Sequence, residues 1–186
     1  MAKVFRAAEM LSEDVQSYVI SCQYQEDSKD APIADGSFVK LGELKDDKTY
    51  VAAGDKDYNV YLASAPAAVT DEVVVIDYPG VSEGSISGNS YRIGVKLFDL
   101  IAPAGRPVRA RRLALHDRFW LGEGNFEGTP VVGNIAGLEA TKTTLKDSGA
   151  KDITKGQLNV KIHLGKDFNY GQSASGKLYL CEVVGL

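Results

Sequence analysis

The residues best equipped for chemistry are few. His116 and His163 are the only histidines in the chain, and histidine is the side chain that exchanges a proton near neutral pH. Asp117 directly follows His116. Neighbours on a strand point to opposite faces, so the two make a hydrogen-bonded dyad only if a turn relaxes that constraint. Ser85, Ser87 and Ser90 are candidate nucleophiles, but no Gly-x-Ser-x-Gly elbow presents one of them. A hydrolytic reading therefore hangs on His116 and the acids near it. The glycine-rich segments EGSISGNS (83–90) and GEGNFEG (122–128) match neither nucleotide-phosphate pattern and read as loops with positive φ. Asp55, Asp57 and Asn59 alternate like the opening of a calcium loop. The central glycine and closing glutamate of such a loop are missing, so this segment reads as a solvated turn.

Cys22 and Cys181 lie near opposite ends of the chain in strand-like contexts and read as two buried free thiols. A disulfide is open to them only if the terminal strands are neighbours, and the cluster of soft ligands that zinc needs is missing. No catalytic residue, cofactor or metal is assigned from the sequence.

Charge supplies a different kind of candidate. Arg106, Arg109, Arg111, Arg112 and Arg118, set against Asp117, give a local balance of +4 in a chain whose formal net charge is −4. Two readings stand side by side. Arginines suited to bidentate pairing with carboxylates form a partner-facing patch, or they are the polar faces of two strands, paired with acidic neighbours. Aromatic residues beside turns, among them Tyr58, Tyr61, Tyr78, Tyr91, Phe119, Trp120, Phe126, Phe168 and Tyr170, are expected to be mostly core, with some available as surface anchors.

The elements that must position these groups are strands. Short apolar segments over residues 34–67 are cut every few residues by Asp-Gly, Asp-Asp or Gly-Asp, a spacing that describes strands joined by tight turns. Strands are expected at 15–24, 37–41, 49–53, 58–63, 91–97, 158–164 and 177–184. PVRARRLAL and DRFWLG are two more, around His116-Asp117. The continuous apolar run VVVIDY at 73–78 suits a central strand buried on both faces. About nine or ten strands and hardly any helix indicate an all-β fold, a small barrel or sandwich with at most one or two short helices. Residues 1–14 are expected to be an N-terminal arm or short helix, since Val4, Ala7, Ala8 and Leu11 recur at helical spacing. Residues 15–186 then make one β-rich domain, with an insertion read within 122–155.

Composition bounds the function. With 186 residues, 44% of them hydrophobic and 25% charged, the chain suits one globular core with a radius of gyration of about 16 Å. The acidic balance and a pI near 5.2 argue against a general nucleic-acid binder. No apolar run reaches membrane-spanning length, and the first residues lack a signal-peptide core, so a soluble, intracellularly made protein is expected.

The cadence DGSFVKLG (35–42), YVAAGD (50–55) and VYLA (60–63) resembles small virion proteins of tailed bacteriophages, notably the head decoration or cement proteins encoded beside the major capsid protein. The resemblance runs through about the first half of the chain. YRIGVKLFDLIAPAGRPVRARRLALHDRFWLGEGNF (91–126) has the same look. The resemblance implies a non-enzymatic protein, made in the bacterial cytoplasm and assembled in many copies on the outer capsid surface. Its partners would be the major capsid protein and further copies of itself in a trimer or other symmetric oligomer, without nucleic acid or membrane. It also implies a small β-barrel or β-tulip core with an arm that docks by strand addition. Under it, Lys3, Val4, Phe5 and Arg6 of the arm and Arg106, Arg109, Arg111, Arg112 and Arg118 become the candidate capsid or subunit interface. A tail, neck or baseplate component is the alternative within the virion. A carbohydrate- or host-surface-binding β-sandwich, stacking sugars on Trp120 with Tyr91 or Phe126, is the alternative outside that class.

Overall fold

A computed structural model describes residues 3–45, 60–78, 101–170 and 174–186. The expected strands at 49–53 and 91–97 lie outside the described residues, as do Ser85, Ser87, Ser90, Tyr58, Tyr91, the Asp55–Asn59 alternation, and the side chains of Phe168 and Tyr170.

The fold is β-rich, as the turn-punctuated sequence requires. In chain order the elements are β1 Phe5–Glu9, α1 Leu11–Asp14, β2 Val19–Glu26, β3 Lys29–Asp30, β4 Ile33–Ala34, β5 Phe38–Leu44, β6 Val60–Ser64 and β7 Val73–Ile76. They continue as β8 Ile101–Ala102, β9 Val108–Arg112, β10 Arg118–Gly122, β11 Phe126–Glu127, β12 Ile135–Leu138, β13 Leu145–Ala150, β14 Asn159–Tyr170 and β15 Ala174–Gly185. The strands expected around His116-Asp117 are β9 and β10, with a turn between them. The described residues carry more strands than the sequence suggests because several are only two residues long.

Barrel and sheet are both present. Strands β2, β6, β5, β7 and β9 pair in that order, and β9 pairs back onto β2 through Val19–Arg111, Ile20–Ala110, Ser21–Arg109 and Cys22–Val108. This closes a five-stranded ring. Cys22, Val39, Ala63, Val74, Ile76, Val108 and Ala110 cluster inside it. So few strands leave a narrow interior, which is why small side chains alternate with Val and Ile there. The second layer is a seven-stranded sheet of order β1-β10-β15-β14-β12-β13-β11.

Strands β5 and β7 form the wall that the two layers share. Val74 and Ile76 point into the barrel, whereas Val73 and Val75 join the cluster beneath the sheet, so this strand is buried on both faces as its unbroken apolar run predicts. Phe119 of β10 is fully buried at the join, 5.5 Å from the ring of Phe5 and 6.5 Å from that of Phe38. The cluster beneath the sheet, distinct from the one inside the barrel, thus joins sheet and barrel.

The N-terminal segment departs from its expectation. Phe5–Glu9 is neither helix nor free arm but an edge strand of the chain's own sheet, with Phe5 opposite Leu121 and Ala7 opposite Phe119. The apparent helical spacing of Val4, Ala7 and Ala8 is overridden by tertiary pairing, which buries Val4 and Phe5. Two side chains staple this strand in place. The Val4 amide donates to Asn125 Oδ1 at 2.9 Å and the Phe5 amide to Asp35 Oδ2 at 2.8 Å. The amide of Tyr78 reaches Asp35 Oδ1 at 2.9 Å, and Asn125 Nδ2 donates to the Asp35 carbonyl at 2.8 Å. Gly36 makes the turn possible, because it adopts φ +71° and a Cβ there would stand 2.6 Å from Asn125 Nδ2. Burial pushes the Asp35 carboxyl up to about 7, with the nearby charge of Asp77 acting the same way against the amide hydrogen bonds.

Residues 126–150, read as part of an insertion, supply three strands of the main sheet. Ile135–Leu138 pairs with both β13 and β14. Glycine interruptions and one-sided burial hide them from an alternation test: β13 buries only Leu145 among its six residues. The cysteines occupy different layers, Cys22 in the barrel and Cys181 under the sheet, both free and buried. Burial pushes the Cys22 thiol up to about 12 and raises that of Cys181.

Candidate functional site

The arginine run is largely paired. On the outside of the barrel, Asp77 takes Arg109 Nη2 at 2.8 Å and Arg111 Nε at 2.5 Å, and Arg111 Nη1 donates to the buried Ser12 hydroxyl at 3.1 Å. Arg112 lies 3.4 Å from Glu72, and the Arg106 guanidinium sits 5.8 Å from the centre of the Tyr78 ring. Ser12, Glu13, Val19 and Arg111 line a shallow hollow. The Arg111 guanidinium in this lining is already engaged by Asp77, which it shares with Arg109, and by the Ser12 hydroxyl. Of the two readings of this run, the strand face paired with acids describes Arg109, Arg111 and Arg112.

The proposed arm residues separate in the same way. Val4 and Phe5 are 3% and 5% exposed, so they belong to the core and not to a docking surface. Lys3 is half-buried and Arg6 is exposed.

The two histidines, far apart in sequence, meet on one carboxylate. Glu182 of β15 lies 3.0 Å from His116 Nδ1 through Oε1 and 2.7 Å from His163 Nε2 through Oε2. Arg118 Nε is a third neighbour of this carboxylate, at 3.8 Å. Hydrogen bonding from His116 holds the Glu182 carboxyl below its usual range, helped by His163 and Arg118 and opposed by burial. His116 reaches this position from a turn in which its φ is +72°, while its amide donates to the Val183 carbonyl at 2.8 Å. Asp117 faces elsewhere, accepting the amides of Leu11 and Ala114, each at 2.8 Å. His116 and Asp117 therefore form no dyad; Asp117 closes the turn and ties α1 to it. Among the described residues both imidazoles hydrogen-bond to Glu182, and no group of three or more His, Cys, Asp or Glu side chains is arranged to hold a metal ion.

Beside this cluster the sheet presents a row of outward side chains. Register sets Arg6 opposite Trp120, Trp120 opposite Leu180, and Leu180 opposite Leu164. Their chain neighbours Phe5, Phe119, Leu121, Tyr179 and Cys181 lie in the core beneath, so the row occupies the other face. The single tryptophan is half-buried in this row, with the Lys166 ammonium 4.4 Å from its ring centre. Phe126, a proposed partner of Trp120 in sugar stacking, is 5% exposed and packs edge-on against Tyr179, 5.8 Å away.

Comparison with protein-family models, with curated proteins and with solved structures gives no match. No helix among the described residues is long and apolar enough to cross a membrane. Sequence reasoning singled out both histidines, Arg118 and Trp120 but missed Glu182, the residue that gathers three of them. The signal was present in the alternation of KLYLCEVV, which puts Leu180 and Glu182 on the face opposite Cys181.

Proposed function

We propose that this chain is a non-enzymatic virion structural protein that binds the outside of a phage capsid and stabilises the shell. It is made in the bacterial cytoplasm, its partner is the major capsid protein, and it associates with copies of itself. The supporting observation is the division of labour among its polar groups. Asp35, Asn125, Asp77 and Asp117 are engaged in joining strands, turns and layers, and Phe119 welds barrel to sheet. A shell adapter needs such a stiff body and a broad outer face, and no polarised nucleophile. The cadence of 35–63 points toward the same class of protein.

The test is co-sedimentation of the purified chain with purified phage heads, together with electron microscopy of the particle that carries it. Stoichiometric, symmetric density on the head is the expected result. Density confined to the tail, neck or baseplate, or no binding to heads, would refute the shell role. Loss of a measured turnover in His116→Ala would refute the non-enzymatic one. The sugar-stacking alternative is weakened by the burial of Phe126 and by Lys166 over Trp120.

A further inference from the structure

Most large side chains of the seven-stranded sheet are buried, but one row is not. Leu164 is 50% exposed and adjoins Leu180 and the half-buried Trp120 across three strands. An apolar centre containing the only tryptophan, rimmed by charged groups, has the anatomy of a protein contact. The rim has a definite sign. Among the described residues, Arg6, Arg118, Lys161 and Lys166 stand around this centre with Glu9 and Glu182, a balance of +2 where the whole chain is −4. Such a face attracts carboxylates. It is poorly suited to a continuous row of phosphates, because Glu9 and Glu182 stand among the cations and Lys166 already covers the Trp120 ring that a base would stack on.

We propose that the outer face of β1, β10, β15 and β14 docks an acidic patch on another protein, with the exposed Leu164 as its apolar anchor and Lys166, seated over Trp120, as the cation beside it. Only the identity of the partner, the capsid shell, rests on the function proposed above. The surface replaces the arm and the barrel arginines as the contact region and keeps Arg6 and Arg118 from the original candidates.

The experiment compares the wild-type chain with Leu164→Glu, Lys166→Glu and, as a control on the barrel wall, Arg112→Glu. Each is tested for binding to immobilised poly-L-glutamate, to heparin and to purified heads. Circular dichroism checks that the variants fold. Leu164→Glu and Lys166→Glu should weaken binding to poly-L-glutamate and to heads by about tenfold or more, and Arg112→Glu should change it by less than about twofold. Equal binding by all four proteins overturns the assignment. Tighter retention on heparin than on poly-L-glutamate overturns it in favour of a nucleic-acid-like ligand. Concentration-dependent self-association that the two sheet variants abolish makes the face a contact between copies and overturns the stated partner. If wild type binds poly-L-glutamate through this face but ignores heads, the surface stands and the shell function falls.

Discussion

Replacing Asp35 by asparagine tests how the two layers are joined. The Asp35 carboxylate is 2% exposed, accepts the amides of Phe5 and Tyr78, and is pushed by burial from 3.8 to about 7. Because the folded protein holds this proton more tightly than the unfolded chain, the group's contribution is fully present below pH 3.8 and is lost as pH rises through about 7. At about 1.4 kcal/mol per pH unit, that span corresponds to about 4 kcal/mol. Asparagine does not titrate, and its single side-chain oxygen can accept only one of the two amides. The other then faces an NH2 group, at a cost of about 1–3 kcal/mol. Asp35→Asn should therefore be less stable than wild type near pH 4, and the difference should shrink and reverse by pH 8. Urea unfolding followed by Trp120 fluorescence from pH 4 to 8 reads this directly, since Trp120 adjoins Phe119 at the join. Groups such as Glu182 and Asp71, whose carboxyls are held low, titrate alike in both proteins and cancel in the difference. A difference that stays flat across this range would refute the assigned proton affinity.

Three further outcomes follow from the same geometry. Phe119→Ala removes the ring that touches Phe5 and Phe38 and should cost about 3–5 kcal/mol, read as a fall in the urea midpoint; a loss below about 1 kcal/mol would mean that the layers are not coupled there. Deleting residues 1–11 strips β1 and removes the amide donors of Val4 and Phe5 from Asn125 and Asp35, so the truncated chain should melt at a much lower temperature or fail to fold, and an unchanged melting temperature would restore the free-arm reading. Glu182→Gln should lower the melting temperature at pH 6 to 7 and flatten its decline between pH 5 and 3. The stabilisation carried by a carboxyl held low is present above its ordinary range near 4.5 and is lost as pH falls; parallel acid profiles for the two proteins would contradict the bridging role.

Local pattern reached some of this molecule and stopped short of the rest. The VVVI run announced a strand buried on both sides, and β9 and β10 were visible as alternating segments on either side of His116-Asp117. Ile135–Leu138 and Leu145–Ala150 were not, because a strand held mainly by pairing with its neighbours shows little alternation of its own. The arginine run was legible as charge, but the pairing of Arg109 and Arg111 with Asp77, a distant residue in the chain, was not.

By itself the amino-acid order determined the β class, the turn positions and which side chains alternate, since these depend on neighbours a few residues apart. Tertiary structure decided that β9 closes a ring with β2 and that residues 5–9 become a strand. It also decided that His116, His163 and Arg118 converge on Glu182 and that Trp120 faces outward. Each of these depends on which strands become neighbours and in what register. That choice is made by burying Phe5, Phe38 and Phe119 together, a free energy that belongs to the assembled core and to no single segment.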